Sequence, residues 1–289
     1  MAEMKTRAAA ALTAVALACA GMAAGDGAAS AAPMAPAAVD SGEGVVKTDA
    51  RYRLVFNDNF SGSKLSKWWQ FRNVQAPQRA CSRLDPRLAY VKRGTLRLEV
   101  RRDASRKPNV TKACPDGQWL NGMVGTDNTR RFQYGKFSAR IKFHAPKGAH
   151  GAFWLQSPGT EVDTIEYFGR PKQPGGGLRS YVHRPKVVNG ETRFITSGGP
   201  LKPRRVRQIM GPRAYASDRF HTYTVVWTPK AYVFSIDGKE TLRVTDAVSQ
   251  QPVFMILSLL SSYYELPALK KNKKFPVTMQ VDWVRVWQK

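Results

Sequence analysis

Short segments in which apolar and polar residues alternate dominate this chain from Tyr52 to its end, and they limit it to a β-sheet architecture. Thr95-Leu96-Arg97-Leu98-Glu99-Val100 and the stretch from Gly135 to Phe143 put an apolar side chain at every second position, the period of a strand with one buried face. Leu54-Val55-Phe56, Tyr223-Thr224-Val225-Val226-Trp227, Ala231-Tyr232-Val233-Phe234-Ser235-Ile236 and Val281-Asp282-Trp283-Val284-Arg285-Val286-Trp287 are also strand-like. Asp237-Gly238 is a two-residue hairpin signal. No long segment carries a helical period and no internal repeat is present. Many strands at short spacing imply an all-β sandwich. The 289 residues are enough for one large domain of this kind, placed at residues 51–289.

The first 32 residues read as a secretory signal peptide. Lys5 and Arg7 open it, an Ala-rich apolar run extends from Ala8 to Ala24, and Ala29-Ser30-Ala31 offers a small-residue cleavage site. Cys19 lies inside the apolar run, after an Ala16-Leu17-Ala18 that fits a lipid-anchored cysteine poorly. Residues 33–50 are rich in Ala, Pro and Gly and read as a flexible linker. The expected location is extracellular, with no membrane span in the secreted chain. Export leaves Cys81 and Cys114 as the remaining cysteines. In an oxidising compartment they are expected to pair, with a loop-closure contribution of about 3–4 kcal/mol. Two cysteines and four histidines give no zinc pattern, and no metal or cofactor is expected.

The chemistry concentrates in Glu161-Val162-Asp163-Thr164-Ile165-Glu166. The β-branched spacers favour a strand. On a strand, Glu161 and Asp163 share a face, whereas Glu166 falls on the opposite one. One bulged residue between them restores the phase and puts all three carboxylates on one face. Two carboxyl groups about 5–5.5 Å apart are what a retaining glycosidase needs, one as nucleophile and one as general acid/base. The intervening Asp163 would hydrogen-bond the nucleophile and raise the acid's pKa by like charge. In this scheme Glu161 is ionised and Glu166 protonated at neutral pH.

Several separated segments resemble glycoside hydrolase family 16, which includes laminarinases, lichenases, agarases and carrageenases. Glu161, Asp163 and Glu166 are similar to the family's Glu-x-Asp-x-x-Glu, and Gly151-Ala152-Phe153-Trp154-Leu155 to its Ala-Phe-Trp-Leu strand. Tyr134-Gly135-Lys136-Phe137 with Ala139-Arg140-Ile141, Trp227-Thr228-Pro229 with Asp237-Gly238, and the closing 281–287 strand follow in the family's order. The resemblance covers about residues 52–288. It implies a concanavalin A-like jelly-roll β-sandwich with a substrate groove. It also implies roles: Glu161 nucleophile, Asp163 assisting carboxylate, Glu166 general acid/base. Trp154 stands where the family has a sugar-stacking aromatic, although a core tryptophan fits the sequence equally well. His183 matches a groove histidine. Ser258 stands where many relatives have Asn, and Asn59 where a Glu is common.

The formal charge of +25 concerns partners rather than fold. Lys202-Pro203-Arg204-Arg205-Val206-Arg207 and Lys270-Lys271-Asn272-Lys273-Lys274 are dense basic clusters, expected in loops. They either keep a secreted protein soluble or bind an anionic polymer. No nucleic-acid recognition motif accompanies them. The expected protein is a monomeric, retaining endo-glycosidase acting on a β-linked polysaccharide, either a β-glucan or an acidic or sulfated glycan. The alternative is a non-catalytic, lectin-like sandwich that binds a carbohydrate or polyanion.

Overall fold

The computed structural model describes residues 51–289 except 75–78, 80, 106–113, 115–117, 189–190 and 247. The expected signal peptide and linker lie outside the described residues. The strands are β1 (Arg53–Asp58), β2 (Gln70–Phe71), β3 (Ser82–Leu84), β4 (Ala89–Lys92), β5 (Thr95–Arg102), β6 (Trp119–Gly125), β7 (Gly135–Lys142) and β8 (His150–Ser157). They continue with β9 (Thr160–Tyr167), β10 (Leu178–Val188), β11 (Glu191–Pro200), β12 (His221–Thr228), β13 (Ala231–Ile236), β14 (Lys239–Val244), β15 (Phe254–Leu260) and β16 (Val277–Gln288). Two short helices, α1 (Pro203–Met210) and α2 (Leu266–Lys270), are inserted among them. Among the described residues no helix is long and apolar enough to cross a membrane.

The hydrogen-bonded order is β11-β10-β9-β8-β15-β6-β5-β16-β7-β12-β13-β14. This is the expected all-β sandwich, with β6 passing from one layer to the other. The first half of β6 pairs with β5 (Val100↔Asn121) and its second half with β15 (Ile256↔Gly125). Gly122 lies at the changeover. A Cβ there would meet the Leu88 carbonyl oxygen at 2.3 Å, so only glycine allows this close passage.

The alternation read in the sequence becomes the inner faces of the layers. Phe137, Ala139 and Ile141 of β7 and their neighbours Tyr223, Val225 and Trp227 of β12 are fully buried. Burying one such large side chain contributes about 1.5–3 kcal/mol. Ser138, on the other face of β7, is also buried, and its hydroxyl bonds that of Thr224 at 2.7 Å. In β16 the inward positions change from Val277, Met279 and Val281 to Val284 and Val286, because the pairing with β7 shifts between Val281 and Trp283. Asp237-Gly238 closes the β13–β14 hairpin, with φ of 47° and 75° and Ile236 facing Lys239, the left-handed pair of a type I′ turn. The Cys81–Cys114 disulfide is formed.

The 202–207 cluster departs from the loop expectation, since most of it lies in α1. Lys202 caps the helix, Pro203 pre-sets its first turn, and Val206 and Met210 bury one side of it. Arg205 donates to the Glu240 carbonyl and Arg207 to the Pro174 carbonyl.

Candidate active site

The pairing of β9 determines where its carboxylates point. Against β8, Trp154 faces Asp163 and Gln156 faces Glu161, but Ala152 faces Glu166. Against β10, His183 faces Glu161, Tyr181 faces Asp163 and Arg179 faces Glu166. Each neighbour advances two residues while β9 advances three, from Asp163 to Glu166. One extra residue is therefore accommodated in this segment. The bulge anticipated from the spacing is present, and Glu161, Asp163 and Glu166 share one face. That face also carries Trp154 and Gln156 from β8 and, by register, Phe254, Ile256 and Ser258 from β15. The residues between them, Phe153, Leu155, Val162 and Ile165, point into the sandwich core.

All three carboxyl groups are removed from bulk water. Asp163 is buried, and Glu161 and Glu166 are partly buried. Burial, with the nearby Asp163 charge added, pushes Glu161 up to about 8, against the opposing influence of His183. Burial and the charge of Glu166 hold Asp163 well above the usual carboxylate range. Burial also raises Glu166, while His150, Arg179 and His183 counteract it. The expectation of an ionised Glu161 beside a protonated Glu166 at neutral pH meets a cluster in which burial favours the protonated form of every carboxyl. Three carboxyls in one desolvated cluster share fewer than three negative charges, and their protons belong to the group rather than to single residues.

Two histidines bracket the cluster. Nε2 of His183 lies 3.1 Å from Asp163 Oδ2, and its Nδ1 lies 2.9 Å from Thr196 Oγ1. In the neutral tautomer with its proton on Nε2, His183 donates to Asp163 and accepts from the threonine hydroxyl. Glu161, Asp163 and His183 offer donor atoms within 4.8 Å of one another, a set that could also hold a cation in competition with protons. At the other end, Nε2 of His150 stands 3.7 Å from Glu166 Oε1. Its Nδ1 is 3.1 Å from Glu265 Oε1, and its ring stacks on Phe168. Glu265 is fixed in turn by the Ser262 amide, which donates to Oε2 at 2.5 Å. Burial opposes the imidazolium of His150, but Glu265 and then Glu166 raise its pKa above the ordinary value.

Neither His150 nor Glu265 was identified from the sequence. His150 had a usable signal, being four residues before Trp154 on the same strand and so on the same face. Glu265 had none, since 115 residues separate it from His150. Arg179 and Arg79, which approach Glu166 and Glu161, were missed too.

Trp154 is partly exposed on the groove face and donates from Nε1 to Ser258 Oγ at 3.1 Å. It packs beside an apolar group formed by Leu84, Met123, Phe254, Ile256 and Leu260, separate from the main core. A half-open indole on this face, held in plane by Ser258, is suited to contact a sugar ring.

The description "Glycosyl hydrolases family 16" matches residues 85–285. The chain is 24% identical over 282 residues to glucan endo-1,3-beta-glucosidase A1 of Niallia circulans, an alignment covering 83% of this chain and 38% of that protein. It is 24% identical over 266 residues to keratan-sulfate endo-1,4-beta-galactosidase of Sphingobacterium multivorum, covering 84% of this chain and 56% of that one. The chain thus spans about half or less of the length of these relatives. Porphyranase B from Zobellia galactanivorans has the same fold, with a TM-score of 0.64, 20% identity and coverage of 86% and 97% of the two chains.

Proposed function

This chain belongs to the glycosyl hydrolases of family 16, and on that premise we propose that it is a secreted endo-glycosidase that cleaves a β-linked polysaccharide with retention of configuration. The observation carrying this reading is the bulge in β9, which aligns Glu161, Asp163 and Glu166 on the groove face.

In the first displacement a carboxylate oxygen of Glu161 attacks the anomeric carbon. The bond from that carbon to the glycosidic oxygen breaks, and Glu166 transfers its proton to the departing oxygen. In the second, Glu166 takes a proton from water as the water oxygen attacks the anomeric carbon, which frees the Glu161 carboxylate. The productive form has Glu161 ionised and Glu166 protonated. Because the carboxyls repel one another's charges, ionising Glu161 helps Glu166 keep its proton. Asp163, held by His183, would assist Glu161 by donating a hydrogen bond when it carries the shared proton. Trp154 offers a face for a sugar ring. The relatives' names cover both neutral and sulfated glycans, so both classes belong in the test. The Cys81–Cys114 disulfide and the apolar N-terminal run support an extracellular setting.

The decisive experiment is release of reducing ends from a panel of β-glucans and sulfated or uronic galactans, followed by NMR of the first-formed anomer. Retention is expected. Inversion would require roughly 6.5–9.5 Å between the working carboxyls and would remove Glu161 and Glu166 as the pair. Binding without cleavage of any substrate would favour the lectin-like alternative.

A further inference from the structure

Glu166 stands beside one aromatic ring that two groups from different strands share. Phe168 follows Glu166 by two residues and so lies on the same face of the sheet. It is partly exposed, just past the end of β9, where its amide donates to the Gly177 carbonyl at 3.4 Å. From β8, the His150 ring stacks on it, with centroids 5.0 Å apart and an angle of 21° between the planes. From β10, on the other side of β9, the Arg179 guanidinium carbon stands 4.3 Å from the ring centre. Both groups also face Glu166. His150 Nε2 is 3.7 Å from Glu166 Oε1. Arg179 is the residue directly across from Glu166 on β10, a relation that puts Cβ atoms about 4.5–5.5 Å apart. Each opposes the upward shift that burial imposes on Glu166, as His183 does, whereas Glu265 reinforces it. Glu166 in turn raises Glu161, Asp163 and Tyr264. His150 is itself faced by Glu265, Arg79 and His144.

We propose that Phe168 is a positioning residue for the general acid/base, its ring holding His150 and Arg179 so that both stay turned toward Glu166. This rests on the glycosidase reading above and adds to it a residue that acts through its neighbours. A guanidinium and an imidazole are both attracted to an aromatic ring, because they are flat and the ring face is negative. An aliphatic side chain at 168 would fill space but offer neither group such a face. The placement matters most in the second displacement. Glu161 is then an ester without charge, and Glu166 must be ionised to take the proton from water. The Arg179 cation, and His150 in its imidazolium form, favour that ionised carboxylate.

The test compares Phe168→Leu, Phe168→Tyr and Arg179→Gln with the parent chain, each first shown to be folded by circular dichroism. Phe168→Met, which keeps the bulk, takes the place of Phe168→Leu if that chain does not fold. The first readout is the pH profile of kcat/KM on whichever β-glucan or galactan is cleaved. In Phe168→Leu its alkaline limb, set by Glu166, should move up by about 0.5–1 pH unit, and Phe168→Tyr should keep the parent's limb. Arg179→Gln should move the limb the same way, and by little more when added to Phe168→Leu. The second readout needs no substrate. It is imidazole NMR, with the His150 signal assigned from His150→Gln. Because Glu166 raises His150, Glu166→Gln should lower the His150 midpoint by about 1 pH unit in the parent, and by roughly half of that or less in Phe168→Leu. A uniform loss of kcat/KM with an unmoved limb would reduce Phe168 to a packing role and overturn the proposal. So would a Phe168→Tyr chain that behaves like Phe168→Leu, an Arg179→Gln chain with the parent's limb, or a His150–Glu166 coupling unchanged in Phe168→Leu. Cleavage of no glycan, with that coupling still weakened in Phe168→Leu, would sink the glycosidase reading and leave the positioning role standing.

Discussion

Replacing Glu161 with Gln should make the protein more stable at neutral and alkaline pH, and the size of the gain follows from the burial of the carboxyl. Glu161 titrates at about 8 in the folded chain, against 4.5 for an exposed glutamate. Between these values the folded state holds a proton that the unfolded state has released, so stability falls as pH rises through this window. It is fully present below 4.5 and lost by about 8. At about 1.4 kcal/mol for each pH step, the window amounts to some 5 kcal/mol for a group titrating alone, of which about 3 kcal/mol is felt at pH 7. Asp163 and Glu166 share the protons, and water reaches the partly exposed groove, so we expect about 2 kcal/mol. Gln is nearly isosteric and leaves no cavity. Denaturant unfolding of both chains should give equal stability near pH 5 and a variant more stable by about 2 kcal/mol near pH 8, equivalent to roughly 4–8 °C in Tm for a domain of this size. A variant no more stable than the parent at pH 8, or a parent whose stability does not fall between pH 5 and pH 8, would show that Glu161 is well solvated and refute the shared-proton account.

Other perturbations have equally definite outcomes. The 33-residue separation of Cys81 and Cys114 gives a loop-closure contribution of about 3.7 kcal/mol, so a Cys81→Ser, Cys114→Ser chain should lose about that much in denaturant unfolding, and an unchanged midpoint would refute it. His150→Gln removes a group that counteracts the upward shift of Glu166, so the alkaline limb of the pH–activity profile should move up. Glu265→Gln should move it down, and matching shifts in both variants would exclude a charge effect. Deleting Thr164 leaves Glu161 and the acid four residues apart on an unbulged strand and therefore still on one face, so release of reducing ends should persist while circular dichroism still reports a β-rich fold, and complete loss of activity would show that the bulge itself sets the working geometry. Gly122→Ala forces a Cβ to within 2.3 Å of the Leu88 carbonyl and should cost about 3 kcal/mol or more, measured by thermal unfolding.

Much of this protein is determined locally and could be read directly from the sequence. Side chains on a strand alternate by steric necessity, so the alternation in 95–100 and 135–143 is enough to place Leu96, Leu98, Phe137, Ala139 and Ile141 in a core without any knowledge of their partners. The left-handed Asp237-Gly238 pair is equally local. The acidic stretch even required its own irregularity, since five residues separate Glu161 from Glu166 and only a bulge can bring both to one face. What the alternation does not contain is which strands lie side by side. His150 meets Glu265 across 115 residues and Trp154 meets Ser258 across 104, and Arg72 reaches Gln156 across 84. These contacts depend on strand order and register, which emerge only when the layers close on a common core. The protonation of the acidic stretch belongs to the same class. The carboxyls are visible in the sequence, but the removal of water that raises Glu161 comes from packing by segments far away in the chain. Residue type and spacing therefore specified the candidate reacting groups, and the tertiary structure decided their environment and their companions, because desolvation and Coulomb interaction depend on distance in space rather than along the chain.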